Sequence, residues 1–208
     1  MLFRGIGAAP GLAVAKCHGI RPLPVIDPAI QIIDTSQVDA ELSLFMQAVT
    51  QAEQKLGSIM RKACDEGDNI RADIIAAQCM MLTDPTIEDG VREKITSHFY
   101  PAVRAIGEII EEQAEILAGL EDPYLRERAA DIRDIGSRLA AILLGVNRQD
   151  LSLLTEEAIL VGREITASQM ASLDASRVKG IVAEVGGKTS HTAILADSMG
   201  IPAVLGCA

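Results

Sequence analysis

The sequence has few aromatic side chains and few cations. Its 208 residues include no Trp, two Tyr and three Phe, and 19 Lys and Arg stand against 29 Asp and Glu, giving a net charge of −10. Nucleic-acid backbones bind clustered cations, and single strands also stack on aromatic rings. The composition therefore argues against a nucleic-acid partner and, with 49% hydrophobic residues, predicts a mainly aliphatic core.

Targeting and metal-binding signals are also missing. No stretch approaches the roughly 20 apolar residues of a membrane span, and the segment around Arg4 lacks the apolar core of a signal peptide. The four cysteines form no C-x-x-C pair, which argues against a zinc site. We expect a cytoplasmic protein with reduced thiols, no membrane contact and no metal site in this chain.

The middle of the chain, residues 34–146, predicts an all-α helical bundle. Apolar residues from Val38 to Ile59 recur at steps of three and four, which places them on one stripe of a long helix with Ser36 as its N-cap. Asp84 and Pro85 have the pattern of a helix start. We expect about four main helices with short connections, the later ones covering about 70–82, 103–117 and 132–142.

The two ends of the chain have a different character and predict strands. Residues 1–33 are rich in Gly, Pro, Val and Ile, and the runs EAILVG, VKGIVAEV and IPAVLG near the other end alternate with short helical segments. Such alternation is typical of an α/β unit. We therefore expect one α/β domain made from residues 1–33 and 147–208, with the helical bundle inserted in it.

Two glycine clusters only partly match nucleotide-binding loops. In the segment from Gly5 to Gly11, Pro10 stands where G-x-G-x-x-G requires its third glycine, so we expect a tight turn between two strands. Gly187-Lys188-Thr189 ends like a phosphate-binding loop, but that motif would need a glycine at Val182. Neither cluster predicts a nucleotide site.

The second cluster nevertheless predicts an anion site beside His191. A buried strand runs into Gly186-Gly187, and an apolar helix starts near Ser190, so backbone N–H groups converge at the helix start. The positive helix end favours neutral imidazole, which is a nucleophile. A phosphorylated histidine fits this arrangement, and a histidine that only caps the helix is the alternative. His18 and His98 lack such surroundings.

These residues resemble the phosphohistidine signature of the phosphoenolpyruvate-utilising enzymes. The signature covers Gly186-Gly187 and Thr189-Ser190-His191, and the run from Gly200 to Gly206 follows it. Three further stretches resemble the Enzyme I family, the phosphoenolpyruvate–protein phosphotransferases of the bacterial sugar phosphotransferase system: Gly5–Gly11, Met80–Pro85 and Leu120–Gly136. The resemblance implies an α/β swivelling phosphohistidine domain with an inserted all-α helical bundle.

The resemblance also implies roles for individual residues. His191 would carry the phosphoryl group as the catalytic residue, supported by Gly186, Gly187, Thr189 and Ser190. The helical bundle would dock the histidine-containing phosphocarrier protein. The docking residues would be Met80, Met81, Ile87, Tyr124, Leu125 and Arg128. The alternative for these positions is bundle core for the apolar residues and a solvated face for Arg128.

Members of the family continue into a barrel domain that binds phosphoenolpyruvate and Mg²⁺, and the full-length proteins are expected to be homodimers. We therefore expect this chain to be an N-terminal fragment, with the Mg²⁺ site outside it. Two positions depart from the family pattern. Asp197 stands where Arg is usual, and Met170 stands where a Thr supports the histidine ring. Thr166, Ser168, Thr189 or a backbone group would have to replace that support.

Two other functions are compatible with the sequence. The chain could be the swivel domain of a phosphoenolpyruvate synthase or pyruvate phosphate dikinase, although the inserted bundle weighs against this. It could also be a helical interaction module whose α/β part is inactive, given Asp197 and Met170.

Overall fold

A computed structural model describes residues 4–21, 32–146, 151 and 154–207, without the side chains of residues 123, 124, 127 and 168. The chain divides into two compact units. The first takes in the described residues of Met1–Pro22, Lys62–Ile75 and Gln149–Ala208. The second takes in those of Leu23–Arg61 and Ala76–Arg148.

The first unit is built on one five-stranded sheet. Its strands are β1 (Ile6–Ala9), β2 (Lys16–Gly19), β3 (Ala158–Gly162), β4 (Val178–Ala183) and β5 (Ala203–Leu205). Their order is β1-β5-β4-β3-β2, with β2 to β5 parallel and β1 antiparallel to β5. The strands predicted in EAILVG, VKGIVAEV and IPAVLG are therefore confirmed, and the carboxyl ends of four strands share one edge.

Two short helices connect the parallel strands, α6 (Ala167–Ala171) after β3 and α7 (His191–Ser198) after β4. Both contribute to an aliphatic core with the sheet, in which Leu160, Ile181 and Leu195 are at most 1% exposed. Burying such side chains stabilises a fold by about 1.5–3 kcal/mol each. The core therefore fixes where α7 starts, directly beyond the carboxyl end of β4.

The glycine cluster near the start of the chain is part of a strand, which corrects the expectation of a turn. Gly7 lies inside β1, and a Cβ on Gly5 would stand 2.8 Å from the carbonyl oxygen of Leu205. Glycine therefore allows this edge strand to approach β5 closely. Only the segment from Pro10 onward connects β1 to β2.

The first unit also includes a helical hairpin tip that the sequence division assigned to the bundle. Residues 62–75 are the end of one long helix and the start of the next. Arg71 is 4% exposed, and its guanidinium donates to Glu66 Oε2 at 2.9 Å and to the carbonyl oxygen of Ala171. Ile74 packs against the core of the sheet. These contacts explain why the tip belongs to the α/β unit.

Five helices run through the middle of the chain, where about four were expected. They are α1 (Val38–Asp65), α2 (Asn69–Leu82), α3 (Pro85–His98), α4 (Ala102–Ala118) and α5 (Pro123–Leu143). The predicted start at Asp84 is confirmed, because its carboxylate accepts from the N–H of Thr86 at 2.8 Å. Phe99, with φ +55°, ends α3. The extra helix is α3 itself, which begins at the predicted start but was not among the four expected ranges.

The start of α1 differs from the expectation in one detail. A short 3₁₀ helix, Thr35–Gln37, precedes α1, and its N-cap is Asp34. The Asp34 N–H donates to Gln37 Oε1 at 2.9 Å. Ser36, predicted as the N-cap, lies inside this turn, because the reciprocal contact of Asp34 and Gln37 starts the helix two residues earlier.

Close helix packing in the second unit depends on glycine. A Cβ on Gly136 of α5 would lie 2.6 Å from Ile110 Cγ2 of α4, whereas a Cβ on Gly57 of α1 would meet only the end of Arg61, 4.0 Å away. Ile110 is 5% exposed, so the isoleucine has little room to move. The two glycines therefore predict opposite effects of the same substitution.

We predict that Gly136→Ala lowers the free energy of unfolding by about 1–2 kcal/mol, because overpacking outweighs a helix-propensity gain of about 1 kcal/mol. Gly57→Ala gains the propensity without a clash and should raise stability by up to about 1 kcal/mol. Guanidinium unfolding followed by circular dichroism measures both. Equal changes in the two variants would contradict the packing account.

Candidate functional site

The glycine turn begins at a fixed point at the carboxyl end of β4. The Val185 N–H donates to the carbonyl oxygen of Arg163 at 2.8 Å, and the Cys207 N–H donates to that of Ala183 at 3.0 Å. These bonds hold the end of β4 to both neighbouring strands. Gly186 then has φ +120°, and a Cβ there would lie 3.1 Å from Leu205 Cδ1. Any other residue at Gly186 would be strained, so glycine is required for the chain to turn here.

Ser190 closes the turn and caps α7, as the sequence predicted for Thr189 or Ser190. Its N–H and its hydroxyl both donate to the carbonyl oxygen of Gly187, at 3.2 and 2.9 Å. The same hydroxyl oxygen accepts from the Ala193 N–H at 3.3 Å. One side chain therefore joins the turn to the helix and satisfies a backbone donor of the first helical turn.

His191 is the first residue of α7 and is half-buried. The next residue, Thr192, donates its hydroxyl to the carbonyl oxygen of Ile165 at 2.6 Å, which ties the first turn of α7 to the connection after β3. Ala193 and Leu195 are at most 1% exposed and anchor the helix in the core. These contacts fix the backbone at His191, so its half-buried side chain starts from the positive end of a helix.

Thr192 is the support that the sequence analysis missed. The sequence shows only that a hydroxyl residue, Thr192, directly follows the histidine in the first turn of a short helix. This pattern does not indicate the acceptor of its hydrogen bond. The partner carbonyl, Ile165, lies far away in sequence, so no local pattern could identify the bond.

The structure places Met170 and most of the residues considered as replacements for a ring-supporting threonine. Met170 is fully buried in the core of the sheet. Thr166 caps α6, since its hydroxyl accepts from the Gln169 N–H at 3.3 Å and its own N–H donates to Gln169 Oε1 at 3.0 Å. Thr189 is exposed, and the side chain of Ser168 lies outside the described part. Thr166 therefore has a structural task of its own.

Asp197 is exposed on α7. The acid follows Ala193 by one helical turn, and its carboxylate lies on the solvent side. An inward-facing carboxylate would have repelled a phosphoryl group. Its exposure removes this objection to a phosphoryl site at His191.

The residues expected to dock a carrier protein divide by exposure. Met80, near the end of α2, is 75% exposed, and Met81, Leu125 and Arg128 are half-buried. Ile87 is only 5% exposed, and Val91 and Ile95 of the same helix are fully buried, which agrees with the alternative of a bundle-core position for Ile87. Tyr124 lies in the first turn of α5, and its side chain lies outside the described part.

A hydrogen bond shows that the two helices with the remaining docking candidates pack together. Gln78 Nε2 of α2 donates to Asp134 Oδ2 of α5 at 3.3 Å, and both residues are at most 4% exposed.

Cys79, beside Gln78, is a partly buried thiol with a raised pKa. Burial raises the pKa most and the charge of Glu53 raises it further, while Arg138 lowers it. The thiol is therefore protonated near neutral pH and is a poor nucleophile.

Neither a metal site nor a membrane-spanning helix occurs among the described residues. No group of three or more His, Cys, Asp or Glu is placed to hold a metal ion there. Within the same residues, no helix is long and apolar enough to cross a bilayer. The Mg²⁺ of the resembled family prefers carboxylate oxygens, so the donors described here do not fit it.

Two family models match the chain. The model described as PEP-utilising enzyme, N-terminal, matches residues 4–128, and the model described as PEP-utilising enzyme, mobile domain, matches residues 154–208. The second match contains the glycine turn and His191. The first contains α1 to α4 and the start of α5.

Known proteins match nearly the whole length of this chain. The phosphoenolpyruvate-protein phosphotransferase of Bacillus subtilis is 36% identical over 203 residues, which are 98% of this chain and 35% of that protein. The protein of the same name from Haemophilus influenzae is 35% identical over 99% of this chain and 36% of its own length. The chain thus spans about a third of the length of the curated relatives it matches.

Two solved structures have the same fold. A solution structure of Enzyme I superposes with a TM-score of 0.80 at 36% identity, covering 99% of this chain and 82% of that one. A structure titled N-terminal domain of Enzyme 1 - Nitrogen superposes with a TM-score of 0.65 at 28% identity, covering 99% and 84%. The predicted combination of an α/β domain and an inserted helical bundle is therefore confirmed.

We predict that Ser190→Ala frees the start of α7. The Ala193 amide loses its acceptor, and a lost N-cap costs about 1 kcal/mol. Amide hydrogen exchange at Ala193 should then be about five times faster, since 1.4 kcal/mol corresponds to about a tenfold change.

The control is Ser198→Ala, at the other end of the same helix. The Ser198 hydroxyl donates to the carbonyl oxygen of Leu195 at 2.9 Å and is not a cap of the first turn. Exchange at Ala193 should stay unchanged in this variant. Equal acceleration in both variants would show that Ser190 has no special role.

Proposed function

This chain belongs to the family of phosphoenolpyruvate-utilising enzymes, and from that premise we propose that it transfers a phosphoryl group through a phosphohistidine at His191. The donor in the whole protein is phosphoenolpyruvate, and the acceptor is a histidine-containing phosphocarrier protein of a phosphotransferase system. The observation that carries the proposal is the place of His191 at the start of α7, behind a glycine turn closed by Ser190.

The arrangement supports nucleophilic transfer by the imidazole. The imidazole is half-buried beside the positive end of α7, which favours the neutral form. Its nitrogen lone pair forms the new P–N bond while the bond from phosphorus to the donor breaks, and that electron pair returns to the donor. When the other party is a carrier histidine, both rings keep their N–H, so the step needs no proton transfer and runs in either direction.

The first transfer, from phosphoenolpyruvate, depends on parts of the relatives that this chain does not span. The described residues do not fit Mg²⁺, and we assign no step here to the ion. Phosphoenolpyruvate binding, Mg²⁺ and homodimer formation are proposed for the whole protein. The residues of this chain would receive and pass on the phosphoryl group.

We assign carrier docking to the patch formed by Met80, Met81, Leu125 and Arg128 on α2 and α5. Met80 is the most exposed of these residues. An exposed methionine adapts to a partner surface because its side chain is flexible and polarisable. Asp84 and Glu121 lie near the ends of these helices and are exposed, which suits a carrier with a basic rim.

The other two functions have less support. A synthase or dikinase is less well supported, because the relatives that match nearly the whole chain are phosphoenolpyruvate-protein phosphotransferases. The inactive-module alternative depended on Asp197 and Met170. Asp197 is exposed and Met170 is a core residue, so neither side chain blocks His191.

We predict that phosphorylated carrier protein labels this chain at His191 alone. The label should have the acid lability and base stability of a phosphohistidine, and His191→Ala should abolish it. Incubation with ³²P-labelled carrier, followed by gel separation at acid and alkaline pH, measures this. His98→Ala is the control and should label normally. Label retained by His191→Ala would contradict the assignment.

We also predict that Met80→Ser weakens carrier binding by about five- to tenfold, since an exposed anchor residue contributes roughly 1 kcal/mol or more to an interface. The fold should be unaffected, because Met80 is 75% exposed. Isothermal titration with unphosphorylated carrier measures the dissociation constant. Ile116→Ser on α4, where Ile116 is 59% exposed, is the matched control. Equal affinities of the two variants would place the docking surface elsewhere.

A further inference from the structure

We propose that Lys188 is a catalytic residue whose ammonium group contacts the phosphoryl group on His191. The inference rests on the proposed function and names a residue that the family resemblance did not supply. A phosphoryl group adds about −1.5 to −2 charges to a chain whose net charge is already −10. A cation close to His191 would offset part of this negative charge.

Lys188 lies inside the turn that positions the histidine. The carbonyl oxygen of Gly187 accepts from both the N–H and the hydroxyl of Ser190, so the segment from Gly187 to Ser190 is a closed four-residue turn. Lys188 and Thr189 are its central residues and both are exposed. The turn therefore presents Lys188 on the same accessible loop from which His191 follows.

The ammonium group has no carboxylate partner among the described residues. Several other lysines of the described chain are paired, Lys16 with Glu156 at 2.7 Å, Lys94 with Glu108 at 3.1 Å and Lys179 with Glu157 at 3.1 Å, while Lys55 on α1 has no ion pair there. In an acidic protein, a cation without an ion pair next to a nucleophile is available to a bound anion. A phosphoryl oxygen is the anion that the reaction brings to this place.

One exposed acid lies close to the turn in sequence. Glu184 shortly precedes Gly186, and its negative charge adds to that of a phosphoryl group. Without a cation, the phosphoryl group would rely on backbone N–H groups and on the helix end, which amounts to about half a charge. Lys188 would neutralise part of the charge on the transferring group while its P–N bond to one histidine breaks and the P–N bond to the other forms. The lysine keeps its proton throughout.

Arg163 provides a control for the alternative that any cation at this edge is sufficient. It follows β3, its carbonyl oxygen accepts from the Val185 N–H, and its side chain is exposed without an ion pair in the described residues. Arg163 lies outside the closed turn. It is hydrogen-bonded to Val185, the residue before the bend at Gly186. If the general positive potential at this edge of the sheet speeds the transfer, removing either charge should slow it. If a direct contact with the phosphoryl group speeds it, only the loss of Lys188 should matter.

The test uses single-turnover transfer from ³²P-labelled carrier to the chain, with carrier at saturating concentration. Lys188→Met should slow transfer at least about tenfold. This is less than the 10²–10³ lost with a buried oxyanion donor, because an exposed charge is screened by water and salt. Lys188→Arg should restore most of the rate. Arg163→Met and Lys16→Met, which remove the same charge, should stay within about twofold of the original.

Raising the salt concentration should slow the original chain more than Lys188→Met, because only the original retains the screened interaction. Equal losses in Lys188→Met and Arg163→Met would overturn the contact in favour of a general field. A weaker affinity of Lys188→Met for unphosphorylated carrier, with an unchanged rate at saturation, would make Lys188 a docking residue and also overturn the proposal. Absence of label on the unaltered chain would instead refute the proposed function, on which this inference rests.

Discussion

The proposed function depends most on the hydrogen bonds of Ser190, which join the glycine turn to the helix of His191. The side chain of Ser190 holds the carbonyl of Gly187 on one side and the amide of Ala193 on the other. Without this side chain, the turn would keep only its backbone bond, and the first turn of α7 would lose the acceptor of the Ala193 amide. The sheet supplies the starting point, through the bonds of Val185 and Cys207 to the neighbouring strands. The core supplies the end point, through Ala193 and Leu195.

Local patterns predicted those parts of the structure that local physics decides. The Asp84-Pro85 helix start, the strand VKGIVAEV and the serine cap before His191 could all be read from short segments. Each is fixed by hydrogen bonds or burial within a few residues. The count of about four helices fell one short, because the helix that begins at Asp84-Pro85 was not counted among the main helices.

Features that depend on distant residues could not be predicted in this way. The glycine cluster at the start became an edge strand because β5, almost two hundred residues later, pairs with it. The tip of the α1–α2 hairpin joined the α/β unit because Arg71 reaches the carbonyl of Ala171. At the site, the sequence predicted the strand, the glycine turn and the helix start around His191 but not the bond from Thr192 to Ile165. Burial also separated Ile87 from the other docking candidates, since an exposed and a buried apolar residue look alike in a helical sequence.

The central claim is that His191 is the phosphoryl acceptor of this chain, and nitrogen NMR tests it most directly. The chain contains three histidines, so ¹⁵N-histidine labelling gives three resolvable imidazole groups. After incubation with phosphorylated carrier protein, the account predicts that the ring nitrogens of His191 shift and show coupling to phosphorus, while those of His18 and His98 stay in place. Phosphorus coupling at His18 or His98, or unchanged nitrogens at His191 with a carrier that phosphorylates other acceptors, would contradict it.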